Sequence, residues 1–203
     1  MRTGNGFLGI RVFPWCLYLG LCFILTGCGL WSDYENIRVV HVYDGDTVRL
    51  ANGEKVRLIG IDCPEAYESE KLFRDARRSG RDIATIQAMG RRASDVTRSL
   101  LLGKNVRVEF DDEMRDKYGR LLAYLWIRKE EFDERSLDLN DITPMSESKA
   151  QKDGEEAEYI FANALIIQAG FASPMSIPPN TRYADMFRSL YREAKKVKRG
   201  LWQ

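Results

Sequence analysis

The fold is decided by the stretch IRVVHVYDGDTVRLANGEKVRLIGID at residues 37–62. Its runs of β-branched and aromatic residues, separated by turns, occupy residues 37–43, 47–51 and 55–61. Asn52-Gly53 lies between the second run and the third, and it predicts a hairpin because both residues tolerate positive φ. In such a hairpin Asp46 begins one strand and Asp62 lies just past the end of the next. The two carboxylates therefore return to the same end of the ribbon, where strand ends build a binding site.

Further strands and helices are predicted farther along the chain. Apolar residues alternate with period two at 106–110 and in part of 121–127, which brings the candidate strands to five. Amphipathic helices are predicted where apolar residues recur at three- and four-residue spacing, at 83–100, 155–169 and 183–197. The pattern favours an α+β fold, a five-stranded OB-fold β-barrel with about three packed α-helices.

Carboxylate and guanidinium groups are concentrated in and near these strands. The acidic residues are hard oxygen ligands of the kind that Ca²⁺ or Mg²⁺ takes, and the arginines offer planar forks that match phosphate oxygens. The acidic set is Asp44, Asp46, Asp62 and Glu65, and the basic set is Arg57 and Arg120. Together they indicate metal-assisted phosphoryl transfer. The structural alternative is that turn aspartates cap backbone amides and Arg57 pairs with a carboxylate in a surface network.

Several motifs follow one another in a fixed order along most of the chain. They are Asp44-Gly45-Asp46-Thr47, VRLIGIDCPE at 56–65, Asp116-Lys117-Tyr118-Gly119-Arg120, Asn163-Ala164-Leu165 running to Gly170, and Gly200-Leu201-Trp202. From about Val39 to Trp202 the sequence resembles the staphylococcal nuclease (thermonuclease) family. The resemblance implies a five-stranded OB-fold barrel that carries a Ca²⁺-dependent phosphodiesterase, an endonuclease. It also implies that DNA and RNA are substrates, that single strands are preferred, and that the products carry a 3′-phosphate.

The resemblance implies a Ca²⁺ site made of oxygen ligands. Asp46 and Asp62 are implied as direct metal ligands, joined by the main-chain carbonyl of Cys63. Asp44 is implied to act through a metal-bound water. The Ca²⁺ cofactor is therefore expected where the first hairpin turn meets the residues that follow the third strand.

The resemblance also implies catalytic and substrate-binding residues. Glu65 is implied to orient or deprotonate the attacking water. Arg57 and Arg120 are implied to hold the phosphate and to stabilise the charge that builds on its oxygens in the transition state. Lys117 and Tyr118 are implied to lie beside the bound nucleotide.

Three stretches depart from the compact family pattern. Residues 173–179 (SPMSIPP) stand where the best-known members carry a pair of tyrosines, which leaves Tyr118 and Tyr183 as candidate platforms for bases. Residues 66–87 and 133–151 are expected to be mobile loops. The first is either a lid that grips substrate or an ordinary surface insertion, and the second is expected to be structureless surface.

The start of the chain has a different character from the rest. An uncharged, mostly apolar run extends from Val12 to Leu25, and small residues then lead to Cys28. The run is shorter than the roughly 20 apolar residues of a membrane span. The start of the chain thus resembles a bacterial lipoprotein signal peptide at 1–27. The resemblance implies cleavage between Gly27 and Cys28, acylation of Cys28, and a lipidated linker at 28–36 before the nuclease domain at 37–203. An uncleaved anchor is the alternative, and both place the domain at the cell envelope, outside the cytoplasmic membrane.

The charge balance excludes a protein that binds nucleic acid through bulk basicity. The chain has 31 basic and 30 acidic residues, and removal of Arg2 and Arg11 with the signal leaves 29 against 30. Any affinity for single-stranded DNA or RNA is therefore expected to be local. The candidate basic residues are Arg74, Arg77, Arg78, Arg81, Arg91 and Arg92, although scattered arginines on a helix are more often a solvated face.

Two other classes of function stay open at this point. A catalytically silent OB-fold module would bind nucleic acid or a protein partner at the envelope without needing the arginines and carboxylates. A structural envelope lipoprotein predicts no metal-dependent stabilisation. No obligate protein partner is evident. His41 is expected on a strand face, and Cys63 is expected to be a packed residue because neighbouring carboxylates disfavour its thiolate.

Overall fold

The computed structural model of the chain describes Met1 and residues 34–133, 142–150 and 156–203. The strands within these residues are β1 (Ile37–Asp44), β2 (Thr47–Leu50), β3 (Lys55–Leu58), β4 (Gly60–Asp62), β5 (Asn105–Glu109), β6 (Leu121–Arg128), β7 (Ser146–Ala150), β8 (Glu156–Phe161) and β9 (Ser173–Met175). The helices are α1 (Glu70–Ser79), α2 (Ile83–Leu101), α3 (Ala162–Gln168) and α4 (Ala184–Lys196). Short 3₁₀ turns occupy Lys129–Glu131 and Gly200–Trp202. The predicted α+β class is confirmed.

A closed five-stranded barrel forms the centre of the fold. Strands β1, β2 and β3 form an antiparallel meander, and β5 and β6 extend the sheet from the other edge of β1. Strand β6 then pairs in parallel with β3, with Val56 beside Leu121, and closes the barrel. Closure leaves the barrel without the unpaired edges of an open sheet. The prediction of a five-stranded OB-fold barrel is confirmed.

Aliphatic side chains fill the barrel interior. Val48 and Leu50 are completely buried, whereas Arg49 between them is exposed. This alternation is the period of two that a half-buried strand requires. Full burial of one such aliphatic side chain contributes roughly 1.5–3 kcal/mol. The packed interior gives the strand ends a rigid base on which to hold polar groups.

The third predicted strand is interrupted before it reaches Asp62. A single strand was expected at 55–61, but β3 ends at Leu58 and the chain turns at Gly60, which has a φ of 80°. A Cβ atom at position 60 would lie 2.3 Å from the Phe187 ring, so only glycine fits this turn. Asp62 therefore ends the separate strand β4, which pairs with β9 outside the barrel.

Asn163 on α3 stabilises this interruption. Its Nδ2 donates to the Ile59 carbonyl at 2.9 Å, and its Oδ1 accepts from the Leu125 amide at 3.0 Å. Asn163 is completely buried, and both hydrogen bonds satisfy main-chain groups that the broken ladder leaves without strand partners. The side chain thus fixes where the chain leaves the barrel on its way to Asp62.

The predicted helices have mixed outcomes. The helices expected at 83–100 and 183–197 are confirmed as α2 and α4. The helix expected at 155–169 is wrong in its first half, which forms β8 between β6 and β7 before α3 begins at Ala162. The apolar run continues through both elements, so its spacing did not mark the change. Trp126 on β6 stacks on Phe161 with ring centroids 4.2 Å apart, and this cross-strand contact favours the strand.

Both insertions contain regular structure where mobile loops were expected. Residues 66–87 contain α1, which is capped by the Ser69 hydroxyl accepting from the Leu72 amide at 3.1 Å and by Gly80 with a φ of 69°. Leu72 is completely buried, which ties α1 to the body of the protein. The expectation of structureless surface at 133–151 is wrong at Ser146–Ala150, which forms β7 and pairs with β8.

The lipoprotein prediction lies outside the described residues. The signal peptide after Met1, Cys28 and most of the linker at 28–36 fall in residues 2–33, which are not described. Within the part of the chain that is described, none of the helices has the length and apolar character that crossing a membrane requires.

Candidate active site

The turn between β1 and β2 connects Asp46 to the segment around Cys63. Asp46 is buried, and its Oδ2 accepts a hydrogen bond from the Cys63 amide at 2.9 Å. Its Oδ1 accepts from the Thr47 hydroxyl at 3.1 Å, and its amide donates to Asp44 Oδ1 at 3.0 Å. Two predicted motifs that are separate in the sequence therefore meet at one carboxylate.

Gly45 permits this close approach. A Cβ atom at position 45 would lie 2.6 Å from Cys63 Sγ and 3.1 Å from the Ala93 Cβ. The Gly45 carbonyl accepts a hydrogen bond from the buried Thr97 hydroxyl on α2 at 2.8 Å. Helix α2 therefore fixes the turn that carries Asp44 and Asp46.

Arg57 bridges the two central carboxylates. Its Nη1 lies 3.0 Å from Asp46 Oδ1, and its Nη2 lies 3.4 Å from Asp62 Oδ1. Nη1 also donates to the main-chain carbonyls of Leu58 and Ile61, at 3.1 and 2.9 Å. The guanidinium is thus held at the point where β3 gives way to β4, and its orientation is set before any substrate binds.

The charge on Asp46 is poorly compensated in its buried position. Burial, helped by the nearby carboxylates of Asp44 and Asp62, raises the pKa of the Asp46 carboxyl to about 7. The Arg57 guanidinium and the hydrogen bond from the Cys63 amide only partly oppose this rise. An additional cation beside Asp46 would stabilise its ionised form.

Lys71, which the sequence analysis did not predict, lies in the same cluster. Its Nζ on α1 donates to the Cys63 carbonyl at 2.9 Å. The Nζ also lies 3.4 Å from Asp62 Oδ2, 3.3 Å from Glu65 Oε1 and 3.3 Å from Asp75 Oδ2. Burial lowers the pKa of Lys71, but the three carboxylates outweigh burial and raise the pKa overall. The ammonium is therefore a permanent positive charge at the site.

The predicted Ca²⁺ ligands suit a hard cation. Asp46 and Asp62 supply carboxylate oxygens and Cys63 supplies a carbonyl oxygen, which are the donor types that Ca²⁺ takes. The described residues contain no group of three or more His, Cys, Asp or Glu side chains arranged to hold a metal. The predicted set has two side chains as direct ligands, Asp46 and Asp62, with Asp44 expected to act through a water. The Lys71 ammonium already acts as a stand-in cation against Cys63 and Asp62. The residues therefore fit a cation, which would compete with Lys71 for these oxygens.

Glu65 is placed by its main chain against helix α2. A Cβ atom at position 90 would lie 2.4 Å from the carbonyl carbon of Glu65 and 2.5 Å from the Ala66 amide nitrogen. Gly90 thus allows the Glu65 peptide to pack on the helix. The Glu65 side chain is 30% exposed, so it faces solvent while it pairs with Lys71. A water molecule can reach its carboxylate from that side.

Arg120 is oriented by Asp116 within a tight turn. Its Nε donates to Asp116 Oδ2 at 2.7 Å, and Asp116 Oδ1 accepts from the amides of Tyr118 and Arg120 at 2.9 and 3.0 Å. Burial raises the pKa of Asp116, but these hydrogen bonds outweigh it and lower the pKa overall. The terminal Nη nitrogens of Arg120 make no hydrogen bond to the described residues, so they are available for an anion.

Arg57 and Arg120 line the same cavity, which we call the Tyr118 cavity. Its volume is about 370 Å³. Lys117 and Tyr118 line it as well, as the family resemblance implies for residues beside a nucleotide. Tyr118 is 73% exposed, with the Lys117 ammonium 5.0 Å from its ring centroid. The cavity therefore brings both predicted arginines next to an accessible aromatic ring.

Tyr183 is not available as a second platform. Its ring packs edge-on against Tyr124 and Phe161, at centroid distances of 4.7 and 4.8 Å, and its hydroxyl donates to Glu109 at 2.9 Å. Met175 and Ile177 line the Tyr118 cavity from the stretch that lacks the tyrosine pair. This stretch therefore gives the cavity an aliphatic wall where the best-known family members carry a pair of tyrosines, as the sequence indicated.

His41 and Cys63 occupy the positions that were expected for them. His41 is exposed on β1, with its ring 4.6 Å from that of Tyr43. Cys63 is buried and free, and burial raises the pKa of its thiol well above the usual value. A neutral, buried thiol is a packing residue and a poor nucleophile. The contribution of Cys63 to the site is its main chain.

Other residues of the site were missed by sequence reasoning. Lys71 belongs to an insertion whose folded position no local pattern reveals. Gly90 did carry a signal, because a glycine inside an amphipathic helix costs about 1 kcal/mol relative to alanine and usually has a packing reason. Thr97 looked like an ordinary residue on the inner face of that helix.

Comparison with known proteins agrees with this arrangement. Residues 55–203 match the family described as staphylococcal nuclease homologue. The chain is 28% identical to a thermonuclease of Staphylococcus intermedius over 172 residues, which is 83% of this chain and 77% of that protein. It is 26% identical to a thermonuclease of Staphylococcus hyicus, over 84% of this chain and 78% of the relative. It is also 28% identical to endonuclease YncB of Bacillus subtilis, over 82% of this chain and 61% of the relative.

The matched region contains β3 with Arg57, β4 with Asp62, the turn of Arg120 and both C-terminal helices. It covers most of the chain, and the barrel, the order of the motifs and the cavity that joins the arginines are consistent with it. The chain therefore belongs to the staphylococcal nuclease homologue family.

Proposed function

We propose that this protein is a Ca²⁺-dependent nuclease that hydrolyses phosphodiester bonds of single-stranded DNA and RNA and leaves 3′-phosphate ends. Family membership supports nuclease chemistry, since the relatives include proteins named thermonuclease and endonuclease. The observation that supports it most strongly is the position of Arg57. One guanidinium contacts both Asp46 and Asp62 and shares a cavity with Arg120.

The two arginines bind the phosphate and stabilise the negative charge that builds on its oxygens in the transition state. Arg57 is held by the carbonyls of Leu58 and Ile61, and Arg120 is held by Asp116. Both cations are therefore oriented in advance, so little reorganisation accompanies the reaction. Loss of one such contact typically costs on the order of 10²–10³ in rate.

Glu65 orients or deprotonates the water that attacks phosphorus. Its partly exposed carboxylate lies 3.3 Å from the Lys71 ammonium, which balances its charge in the absence of substrate. Asp46, Asp62 and the Cys63 carbonyl would hold Ca²⁺, and Asp44 would support them by accepting a hydrogen bond from the Asp46 amide. When bound there, Ca²⁺ would compensate the extra negative charge at the phosphate.

The envelope location belongs to the same proposal. A charged start, an apolar run and Leu25-Thr26-Gly27-Cys28 support cleavage before Cys28 and its acylation. Two or more acyl chains hold a protein more firmly than the marginal attachment of one chain. Cys28→Ser is expected to abolish incorporation of labelled palmitate and to release the protein from the membrane fraction. Unchanged incorporation in Cys28→Ser would contradict the lipoprotein part alone.

The nuclease proposal is tested with the purified full chain. Single-stranded DNA and RNA of the same sequence are incubated with it in Ca²⁺ and in excess chelator, beside the Glu65→Ala variant. Cleavage is expected only in Ca²⁺, with ends that a phosphatase converts to 3′-hydroxyls, and Glu65→Ala is expected to lose nearly all activity. Full activity in chelator would contradict the metal dependence. Binding without cleavage would instead support a catalytically silent OB-fold module.

A further inference from the structure

A second cavity lies on the other side of the Arg57–Asp62 pair, and we call it the insertion cavity. Its volume is about 740 Å³, twice that of the Tyr118 cavity. Helix α1, helix α2 and the C-terminal part of the chain form its walls, and Asp62 and Cys63 lie at its edge. Because α1 comes from the 66–87 insertion, this cavity is not part of the site that the family resemblance implies.

The two cavities lie at opposite ends of the β4–β9 ribbon. Ser173 lines the insertion cavity and pairs with Asp62, whereas Met175 lines the Tyr118 cavity and pairs with Gly60. Two residue steps along a strand span roughly 7 Å, so the two cavities are close enough for one short single strand to contact both. A short single strand that leaves one cavity therefore reaches the other after passing the central carboxylates and Arg57.

The insertion cavity carries an excess of positive charge. Arg78, Arg81 and Lys195 line it, and none of them lies within 4.0 Å of a carboxylate in the described residues. Its fourth cation, Lys71, is paired with the cavity's two carboxylates, Asp62 and Asp75. The whole chain has a formal net charge of only +1. The attraction for a polyanion is therefore local to this wall.

One face of α1 directs this charge toward the site. Lys71, Asp75 and Arg78 follow the i, i+4, i+7 spacing of a single helix face, and all three line the cavity. Lys71 ties that face to the Cys63 carbonyl. Arg74 and Arg77 on the same helix are exposed but do not line the cavity. The arginines that the sequence singled out are thus divided by the fold into two groups.

An aromatic wall adjoins the cations. The rings of Tyr191 and Trp202 meet edge to face at 5.2 Å, and the Lys195 ammonium lies 5.4 and 5.7 Å from their centroids. Rings beside cations are the combination by which proteins bind single strands, since bases stack on the rings and phosphates pair with the cations. Ile86 and Met89 of α2 add apolar surface to the cavity.

We propose that the insertion cavity is a polynucleotide subsite. It binds the single-stranded segment on the opposite side of the scissile phosphate from the nucleotide at Tyr118. Backbone phosphates pair with Arg78, Arg81 and Lys195, and a base packs on the wall of Tyr191 and Trp202. This inference rests on the proposed nuclease function, because it needs the scissile phosphate to lie at Arg57.

The subsite is tested by binding in excess chelator, where no cleavage occurs. The triple variant Arg78→Ala/Arg81→Ala/Lys195→Ala is compared with the matched control Arg74→Ala/Arg77→Ala/Lys196→Ala. The control removes equal charge from exposed positions of the same two segments, outside the cavity. The probes are a single-stranded DNA of about 12 nucleotides, within the range of known OB-fold site sizes, and a nucleoside 3′,5′-bisphosphate that is too short to span both cavities.

The cavity variant is expected to bind the long probe at least tenfold more weakly than wild type at about 0.15 M salt, and its salt slope falls by about 2, at roughly 0.7 per lost phosphate contact. The control variant stays close to wild type, and the short probe binds equally well to all three proteins. Equal losses in both variants, no loss in either, or loss of the short probe would overturn the subsite. Thermal melting of both variants shows that they are folded. Wild-type protein that binds the long probe but never cleaves it in Ca²⁺ would overturn the nuclease proposal instead.

Discussion

The two cavities on either side of the Arg57–Asp62 pair differ in how they are built. The Tyr118 cavity is formed by strand ends and the tight turn of residues 116–120, which follow directly from short sequence motifs. The insertion cavity is formed where the consecutive helices α1 and α2 meet the C-terminal part of the chain, and Lys71 of α1 ties it to the Cys63 carbonyl. Groups at barrel strand ends are held by the closed sheet, whereas groups on the insertion depend on tertiary contacts. The rate of cleavage is therefore expected to depend most on the groups at the barrel strand ends. The affinities for single-stranded nucleic acid and for metal are expected to depend on the groups of the insertion.

The largest effect is expected when the guanidinium of Arg57 or Arg120 is replaced by the ammonium of lysine. Arg57→Lys and Arg120→Lys keep the charge but lose the planar two-point contact with phosphate. Each is expected to lower kcat on single-stranded DNA by about 10²–10³. Arg98→Lys is the control, because Arg98 pairs with Asp95 on an exposed face of α2. Wild-type kcat in either site variant, or an equal loss in Arg98→Lys, would show that the barrel end is not the centre of the chemistry.

The contact between Gly90 on helix α2 and the main chain of Glu65 is expected to be nearly as sensitive to substitution. Gly90→Ala places a Cβ atom 2.4 Å from the Glu65 carbonyl carbon, so the main chain at Glu65 must move away from α2. Overpacking of this kind typically costs about 1–3 kcal/mol. A Tm lowered by several degrees and a kcat lowered about tenfold or more are expected, as measured by calorimetry and cleavage assays. Arg91→Ala, at the next and exposed helix position, should change neither.

A smaller effect, of opposite sign, is expected from the insertion lysine. Lys71→Met removes the cation that contacts the Cys63 carbonyl and Asp62, which are predicted Ca²⁺ ligands. Ca²⁺ is then expected to bind several-fold more tightly, up to about tenfold, and to raise Tm more than in wild type. Calorimetric titration measures this without any cleavage. Weaker Ca²⁺ binding in Lys71→Met, with Lys117→Met unchanged, would mean that Lys71 does not compete with the ion.

The smallest effect is expected where the 116–120 turn is tied to the β2–β3 hairpin. Glu54 accepts hydrogen bonds from both Nη nitrogens of Arg115, at 2.6 and 3.0 Å, and Arg115 Nη1 also donates to the Gly119 carbonyl at 2.8 Å. Glu54→Gln is expected to lower Tm by at most about 3 °C, since exposed ion pairs contribute little.

The pH dependence of this pair has a definite sign. The hydrogen bonds from Arg115 lower the pKa of Glu54 from its usual 4.5 in the folded state. Its contribution is therefore fully present above pH 4.5 and is lost as the pH falls through the lowered value. The difference in Tm between wild type and Glu54→Gln should vanish in that range. A difference that persists or grows with acid would contradict the assignment.

Sequence predicted the barrel and its polar strand ends because both depend on local signals. Period-two alternation and Asn52-Gly53 are enough to set the β2–β3 hairpin, and turn residues then bring Asp46 and Asp62 to one end. The break at Gly60 was not predicted, since it depends on contacts with Phe187 and Asn163 from the C-terminal half of the chain. Strand β8 was mistaken for a helix because its apolar run continues into α3. Lys71 was missed for the same reason, because Asp62 and the Cys63 carbonyl become its neighbours only after α1 packs.

Two substitutions test most directly whether the catalytic centre lies at the strand ends of the barrel. They replace two aspartates that contact the same lysine. Asp62 and Asp75 both contact the Lys71 ammonium, at 3.4 and 3.3 Å, but only Asp62 is also bridged by Arg57 to Asp46. The measurement is the rate of Ca²⁺-dependent cleavage of single-stranded DNA by Asp62→Asn and by Asp75→Asn, at equal folded fraction. Asp62→Asn is expected to lose at least about 100-fold in rate, while Asp75→Asn stays within a few-fold of wild type. Equal rates in the two variants would contradict a catalytic centre at the strand ends of the barrel.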